Sequence, residues 1–253
     1  MLHTFAGLSD GANPNGSLIL DAAGNLYGTT ASGGPLNQGT VFELDTNGDL
    51  TVLHAFAGKS DGSQPIAGVT RDSAGNLLGT TPGGGTRYFS SGMAFKLDPT
   101  GQETVLHTFQ PNGVDGKFPY AGLVPFGQDL YGTTSSGGTS TFGTVFKLDN
   151  ARNETVLYTF LGGTDGRYPQ NSGVVHDGLG NLYGTTENGG DANDDGIVFQ
   201  LNPSGAETVL HRFSGTDGSR PMAVVITDSA GNLYGTTYQG GAFGYGTVFK
   251  ITP

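Results

Sequence analysis

Cysteine and tryptophan are both missing from the 253 residues. Without cysteine there is no disulfide scaffold and no thiolate metal site. Without tryptophan, the residue many sugar-binding proteins stack against their ligands is gone. Charge is sparse and one-sided: 11 Lys and Arg stand against 22 Asp and Glu, a formal net charge of -11. That balance argues against nucleic acid or an anionic membrane surface as the main partner, and admits cations and neutral polar ligands. No apolar run approaches the length of a membrane span, so membrane insertion is not expected. No segment keeps an apolar period near 3.6, so helix is not expected either. There is no Gly-x-Ser-x-Gly elbow, phosphate loop or zinc signature. Met1 leads straight into a strand-like segment, so no signal peptide is visible, as expected of a cytoplasmic protein or of one whose leader has been removed.

What the chain does have is glycine, 46 residues of it, and repetition. A Leu, an aromatic or His, one residue and Phe recur from Leu2, Leu53, Leu106, Leu157 and Leu210, at spacings of 51, 53, 51 and 53. A period of this length means a repeat architecture. The repeat covers the chain without a linker, so one domain is expected, in units of about 1-50, 51-103, 104-154, 155-207 and 208-253.

Each unit reads as four short strands between turn signals. In the first unit these are A (Ser17 to Asp21), B (Leu26 to Thr30), C (Thr40 to Asp45) and D (Thr51 to Phe56). In the third unit, A falls on Ala121 to Val124. Four antiparallel strands per repeat is the signature of a propeller blade. The expectation is an all-β, five-bladed β-propeller. Met1 to Phe5 matches only a D strand and the C-terminus stops before one, so the N-terminal segment is expected to close the ring as the outermost strand of the last blade. The glycine inside strand B (Gly28, Gly79, Gly132, Gly184, Gly235) implies crowding between blades. The Phe of strand C (Phe42, Phe95, Phe146, Phe199, Phe249) is expected to fill the space between sheets.

The pattern Gly-Asn-Leu-Tyr-Gly-Thr-Thr, two residues, Gly-Gly, a variable loop, then Gly-Thr-Val-Phe-Lys-Leu resembles the GloVer tandem repeat. It stands at Gly231 to Thr237 with Gly240, Gly241 and Gly246 to Ile251, and nearly as well at Gly180 to Thr186. The third unit departs from it at Gly127-Gln128-Asp129, and the second at Leu78 and Met93-Ala94. The resemblance implies a bacterial protein, secreted or at the cell surface, and carries no catalytic residues with it.

Two sets of loops are expected on one face, D-to-A and B-to-C, and loops on a rigid scaffold commonly carry function. The D-to-A loops contain Asp-Gly-x-x-Pro, with Asp10, Asp61, Asp115, Asp165 and Asp217. These carboxylates either ring a cation or sugar hydroxyls, or serve the turn itself, where Asp accepts backbone N–H bonds, Gly permits positive φ and Pro sets the exit. The B-to-C loops vary and offer Tyr88, Phe89, Phe142, Phe243 and Tyr245. Their rings suit sugar stacking, or packing of the loop tip on the neighbouring blade. Asp191, Asn193 and Asp195, followed by Gly196, fit the opening of a calcium loop, though Asn202 stands where an EF-hand has its bidentate Glu. A structural calcium is the one cofactor this suggests. His3, His54, His107 and His211 align with Tyr158, an exchange that favours strand packing with a polar tip over metal ligation. His176, beside Asp177, reads as a turn-bonded side chain.

The expected function is a non-catalytic secreted binding module that recognises carbohydrate through repeated loops. A structural scaffold that assembles with copies of itself is the alternative. A glycan-active enzyme with a central acidic pocket is a further one, disfavoured because near-uniform repeats lack the asymmetry an active site needs.

Overall fold

A computed structural model describes residues 1–86, 89–170 and 173–253. The chain forms two compact units, residues 1–111 with 118–125, and residues 112–117 with 126–253. It crosses between them at 111/112, at 117/118 and inside the strand Val124–Phe126. Every strand pairing named below is antiparallel, and the helical content among the described residues is two 3-10 turns, Lys59–Asp61 and Gly163–Asp165. No helix among them is long and apolar enough to cross a membrane.

The first unit holds two four-stranded sheets. One runs Ile19–Leu20, Leu26–Thr30, Thr40–Leu44, Leu50–Ala55 in spatial order, the other Thr70–Arg71, Leu77–Thr81, Met93–Leu97, Glu103–Thr108. The second unit repeats the plan with Asp129–Thr134, Thr144–Leu148 and Glu154–Thr159, edged by Val124–Phe126. It repeats again with Val174–His176, Leu182–Thr186, Ile197–Leu201 and Glu207–Arg212. Its last sheet has three strands, Ile226–Thr227, Leu233–Thr237 and Thr247–Ile251. The all-β class is therefore as the sequence implies, and so are the four strands of the first four repeats, while the last repeat has three. Strands B and C match within a residue, whereas A is shorter than expected.

Two expectations need correction. Met1 to Phe5 forms no strand, so it supplies no fourth strand to the last sheet. The segment is held by side chains within its own unit: Phe5 meets Phe42 edge-on at 5.2 Å, and His3 reaches Asp10 at 3.2 Å. In the third repeat the A strand is Val124–Phe126 rather than Ala121 to Val124. The residues before it are tied by hydroxyls instead: the carbonyl of Ala121 accepts from Thr80 and that of Leu123 from Thr70, at 2.8 and 2.7 Å.

The repeat's core unit is a Gly–Phe–Phe stack. In strand B the glycine faces the Phe of its own strand C: Gly79 opposes Phe95 and Gly184 opposes Phe199. A Cβ on Gly184 would lie 2.6 Å from the Phe199 ring. The crowding that demands glycine thus comes from within the sheet, not from the neighbouring blade. The Phe ring also meets, edge to face, the last Phe of the preceding repeat: Phe56 with Phe95 at 5.2 Å, Phe160 with Phe199 at 5.1 Å, Phe213 with Phe249 at 5.2 Å. Around these pairs gather Val41, Val69 and Leu97 in one unit, and Val145, Val174 and Leu201 in the other.

The two threonines that end strand B have separate tasks. The first donates to a carbonyl of the next repeat, as Thr29 does to Ala67 at 2.8 Å and Thr185 to Pro221 at 2.9 Å. The second bonds across to strand C, Thr30 with Thr40 and Thr134 with Thr144 at 2.8 Å.

Replacing Phe199 by Ala should cost about 3–5 kcal/mol, since a fully buried ring leaves a cavity. Gly184→Ala should cost ~1–3 kcal/mol by overpacking the same ring. Urea unfolding of the two variants against the parent checks both, and an unchanged midpoint for Gly184→Ala would contradict the stack.

Candidate functional site

The D-to-A and B-to-C loops do meet. The residue after each Asp-Gly pairs with a B-to-C loop residue of its own repeat: Ala12 with Ser32, Ser63 with Gly83, Arg167 with Asn188, Ser219 with Gln239. In the third repeat the same contact is a short ladder, Gly116–Lys117 with Ser136–Gly137. The glycine allows this approach. At Gly62, φ is 83° and a Cβ would lie 2.6 Å from Thr81 Oγ1.

Each loop Asp is anchored by its own turn. Asp10 accepts the Ala6 N–H at 2.9 Å, Asp61 that of Ala57, Asp165 that of Leu161 at 2.5 Å, and Asp217 that of Ser214 at 2.9 Å. Asp115 is buried, and its own N–H donates to Asn112 Oδ1 at 2.8 Å. In three of the loops the second carboxylate oxygen meets the side chain aligned at the His/Tyr position: His54–Asp61 at 3.2 Å, His211–Asp217 at 2.8 Å, and a Tyr158 hydroxyl donating to Asp165. His3 instead reaches, at 3.2 Å, the same Asp10 oxygen that accepts the Ala6 N–H. Imidazole and phenol exchange at this position because each places a polar atom against the loop carboxylate.

A bulge in strand D makes the encounter possible. Phe42 opposes Val52, but Val41 opposes His54, so Leu53 is the extra residue. Phe199 with Val209 and Val198 with His211 show the same slip. An added residue reverses which face the following side chains take. His54 therefore faces the next sheet, with its ring edge-on to Phe56 at 4.8 Å. From that next sheet comes a third group. Glu103 opens its D strand, two residues before Val105 and on the face of Phe95.

His54, Asp61 and Glu103 thus converge, with one donor atom of each lying within 4.8 Å of the others. His54 Nε2 is near enough to Asp61 for an ion pair but misaligned for a hydrogen bond. That nitrogen and Glu103 Oε1 are buried without a hydrogen-bond partner. Burial, with the Asp61 carboxylate beside it, pushes Glu103 up to about 8. The corresponding trio in the second unit is Tyr158, Asp165 and Glu207. Burial and then Asp165 raise Tyr158, and burial and then Asp165 raise Glu207 to about 7, with Arg212 opposing. In the first repeat Leu50 stands where Glu103 would, so His3 and Asp10 form a pair.

The other sequence candidates are dispersed. Tyr88 lies outside the described residues, as does the side chain of Phe89. Phe142 packs in the second unit's core, edge-on to Tyr168 at 5.9 Å, with the Arg167 guanidinium over both rings. Phe243 and Tyr245 are exposed at 88% and 93%. Tyr245 borders an open cleft of about 440 Å³, lined also by Met222, Ala223, Thr236, Thr237 and Tyr238. Asp191 Oδ1 accepts the N–H of Asn193 and of Asp194, at 2.8 and 3.0 Å. Asp195 is buried, and Asp194 between them carries an ion pair with Arg167. His176 is bonded through Nδ1 to the Asp177 carbonyl at 3.0 Å.

Most remaining acids cap the A-to-B and C-to-D turns. Asp21, Asp177 and Asp228 each accept two backbone N–H groups and a Tyr hydroxyl. These bonds hold Asp228 down to about 2, its Asn232 side-chain bond foremost. Strong anionic character in this chain is largely turn chemistry.

Glu207 generates a pH dependence of defined sign. Its folded value, about 7, lies above its ordinary 4.5, so folding favours the protonated acid. The contribution is whole below pH 4.5 and is lost as pH rises to about 7. Glu207→Gln should flatten that stretch of a plot of unfolding midpoint against pH, and should gain on the parent towards neutral pH. An identical slope in both proteins would rule the effect out.

Among solved structures, the chain is similar to a gluconolactonase from Xanthomonas campestris, at 17% identity over 94% of this chain and 71% of that one, with a TM-score of 0.58. It is similar to a luciferin-regenerating enzyme at 13% identity over 96% and 92%, TM-score 0.54. An ulvan lyase, a polysaccharide lyase, aligns at 14% identity over 91% and 66%, TM-score 0.53. At such identities these likenesses speak for the fold alone, which is propeller-like. No curated protein is similar enough in sequence to match. The Gloeobacter/Verrucomicrobia repeat matches twice, over residues 1–141 and 127–253. The two matches together span the whole length given, and the chain belongs to the Gloeobacter/Verrucomicrobia repeat family.

Proposed function

We propose that this chain is a carbohydrate-binding module, without catalysis of its own, whose five repeats are the blades of one propeller. The observation that carries the reading is the aromatic surface of the last repeat. Tyr238 and Tyr245 are largely exposed and border a cleft lined also by Thr236 and Thr237, and Phe243 is exposed in the same loop as Tyr245. Flat rings beside hydroxyls suit a sugar, which offers an apolar face and a polar rim. The backbone under Tyr245 is fixed by its bridge to Gly240, so the ring is presented from an ordered loop. Two of the similar structures, the gluconolactonase and the ulvan lyase, are named for sugar chemistry, which supports the class by analogy of fold. Weak sites in related loops would add through multivalency. A secreted or cell-surface setting belongs to the same reading.

A second reading, self-assembly, is favoured by the three-stranded last sheet. Val248 is 82% exposed there, whereas the aligned Val41, Val145 and Val198 are fully buried. An unpaired apolar strand edge is a template for another chain.

A glycan array followed by calorimetry tests the first reading. Binding should appear and fall at least tenfold in Tyr245→Ala, while no binding to any glycan removes it. Light scattering across concentration tests the second. Assembly should grow with concentration and recede in Val248→Lys, whereas a strict monomer at high concentration eliminates it.

A further inference from the structure

We propose that His54, Asp61 and Glu103 form a binding site for a divalent transition-metal ion, of which zinc is the representative. Three segments deliver the donors: a D strand, the loop that follows it, and the next D strand. The donor atoms lie within 4.8 Å of one another. Ligands about 2.0–2.2 Å from a common ion stand roughly 3–4 Å apart, so small side-chain adjustments complete the shell.

Two observations separate this cluster from an ordinary surface group of acids. His54 Nε2 is buried and has no hydrogen-bond partner, which leaves a nitrogen facing two carboxyl groups. And two carboxyl groups crowd one imidazole, an arrangement in which all three can be bare donors only around a cation. A dication takes the place of the proton that otherwise lies between the two acids, and satisfies all three donors at once.

The donor set selects the ion. Imidazole with carboxylates suits zinc or manganese, whereas calcium and magnesium prefer an all-oxygen shell. Three protein ligands leave an outer position for water. The ligands are also held in place. Phe56 backs the His54 ring and itself meets Phe95, and Ala57 anchors Asp61 through its N–H.

The chain carries its own control. At Tyr158, Asp165 and Glu207 a phenol replaces the imidazole and its hydroxyl donates to Asp165, so no nitrogen ligand is present. The His-to-Tyr exchange shows that the fold accepts either residue, not that neither binds metal. The sequence repeats the three residue types at His107, Asp115 and Glu154, so the informative quantity is the number of equivalents lost in a variant, not the total.

The test is calorimetric titration of chelator-treated protein with zinc chloride at neutral pH, with calcium chloride as the contrast. Saturable zinc binding is expected, at least tenfold tighter than calcium. His54→Tyr should lose one zinc equivalent while keeping its metal-free melting temperature, because Tyr158 occupies the same position. Glu103→Gln should weaken that equivalent at least tenfold, and it carries the test should His54→Tyr misfold. Tyr158→His should add an equivalent. No saturable zinc binding, an unchanged count in His54→Tyr, or calcium bound as tightly as zinc would overturn the proposal.

Discussion

Everything in this chain hangs on a phenylalanine that must lie flat over a glycine. The Phe of strand C has space only because the residue opposite it in strand B has no side chain. It is locked because the Phe ending the preceding repeat meets it edge-on. Edge-to-face pairs at about 5 Å add roughly 0.5–1.5 kcal/mol beyond the area they bury. Repeated along the chain, the stack fixes both the register within each sheet and the packing of one sheet on the next.

The bulge in strand D follows from this constraint. The preceding Phe must reach across to its neighbour, while Val52 must stay on the side of Phe42. One inserted residue satisfies both, and it is Leu53 or its counterpart. The consequence is chemical. The His or Tyr before that Phe is carried onto the facing surface beside the loop Asp, and at His54 and Tyr158 a Glu of the next repeat, Glu103 or Glu207, joins them. A packing requirement has placed titratable groups together, in the half-buried setting where pKa values are most readily displaced.

Glycine, threonine and aspartate account for most of the remaining regularity. B-strand threonines such as Thr29, Thr80 and Thr185 answer carbonyls that the close approach of repeats would otherwise leave unpaired. The aspartates of the A-to-B and C-to-D turns hold backbone N–H groups, which is why a strongly acidic chain shows little free carboxylate in its turns. Variation is left to the B-to-C loops, and there the repeats diverge, from a packed Phe142 to an exposed Tyr245.

Period, strand count and turn residues were legible in the sequence, because alternation of apolar side chains and the φ demands of glycine act over neighbouring residues. So was the exchange of His for Tyr, though not its meaning. What joined His54, Asp61 and Glu103 was the bulge and the stacking of one sheet on the next. No local pattern announces where an extra strand residue will turn a side chain, or which acid some 50 residues away will face it. The same holds for Met1 to Phe5: its residues spell a D strand, but a strand exists only where a partner edge meets it, and side-chain contacts within its own unit hold it instead. Sequence set the vocabulary of each repeat; long-range packing decided which words came into contact.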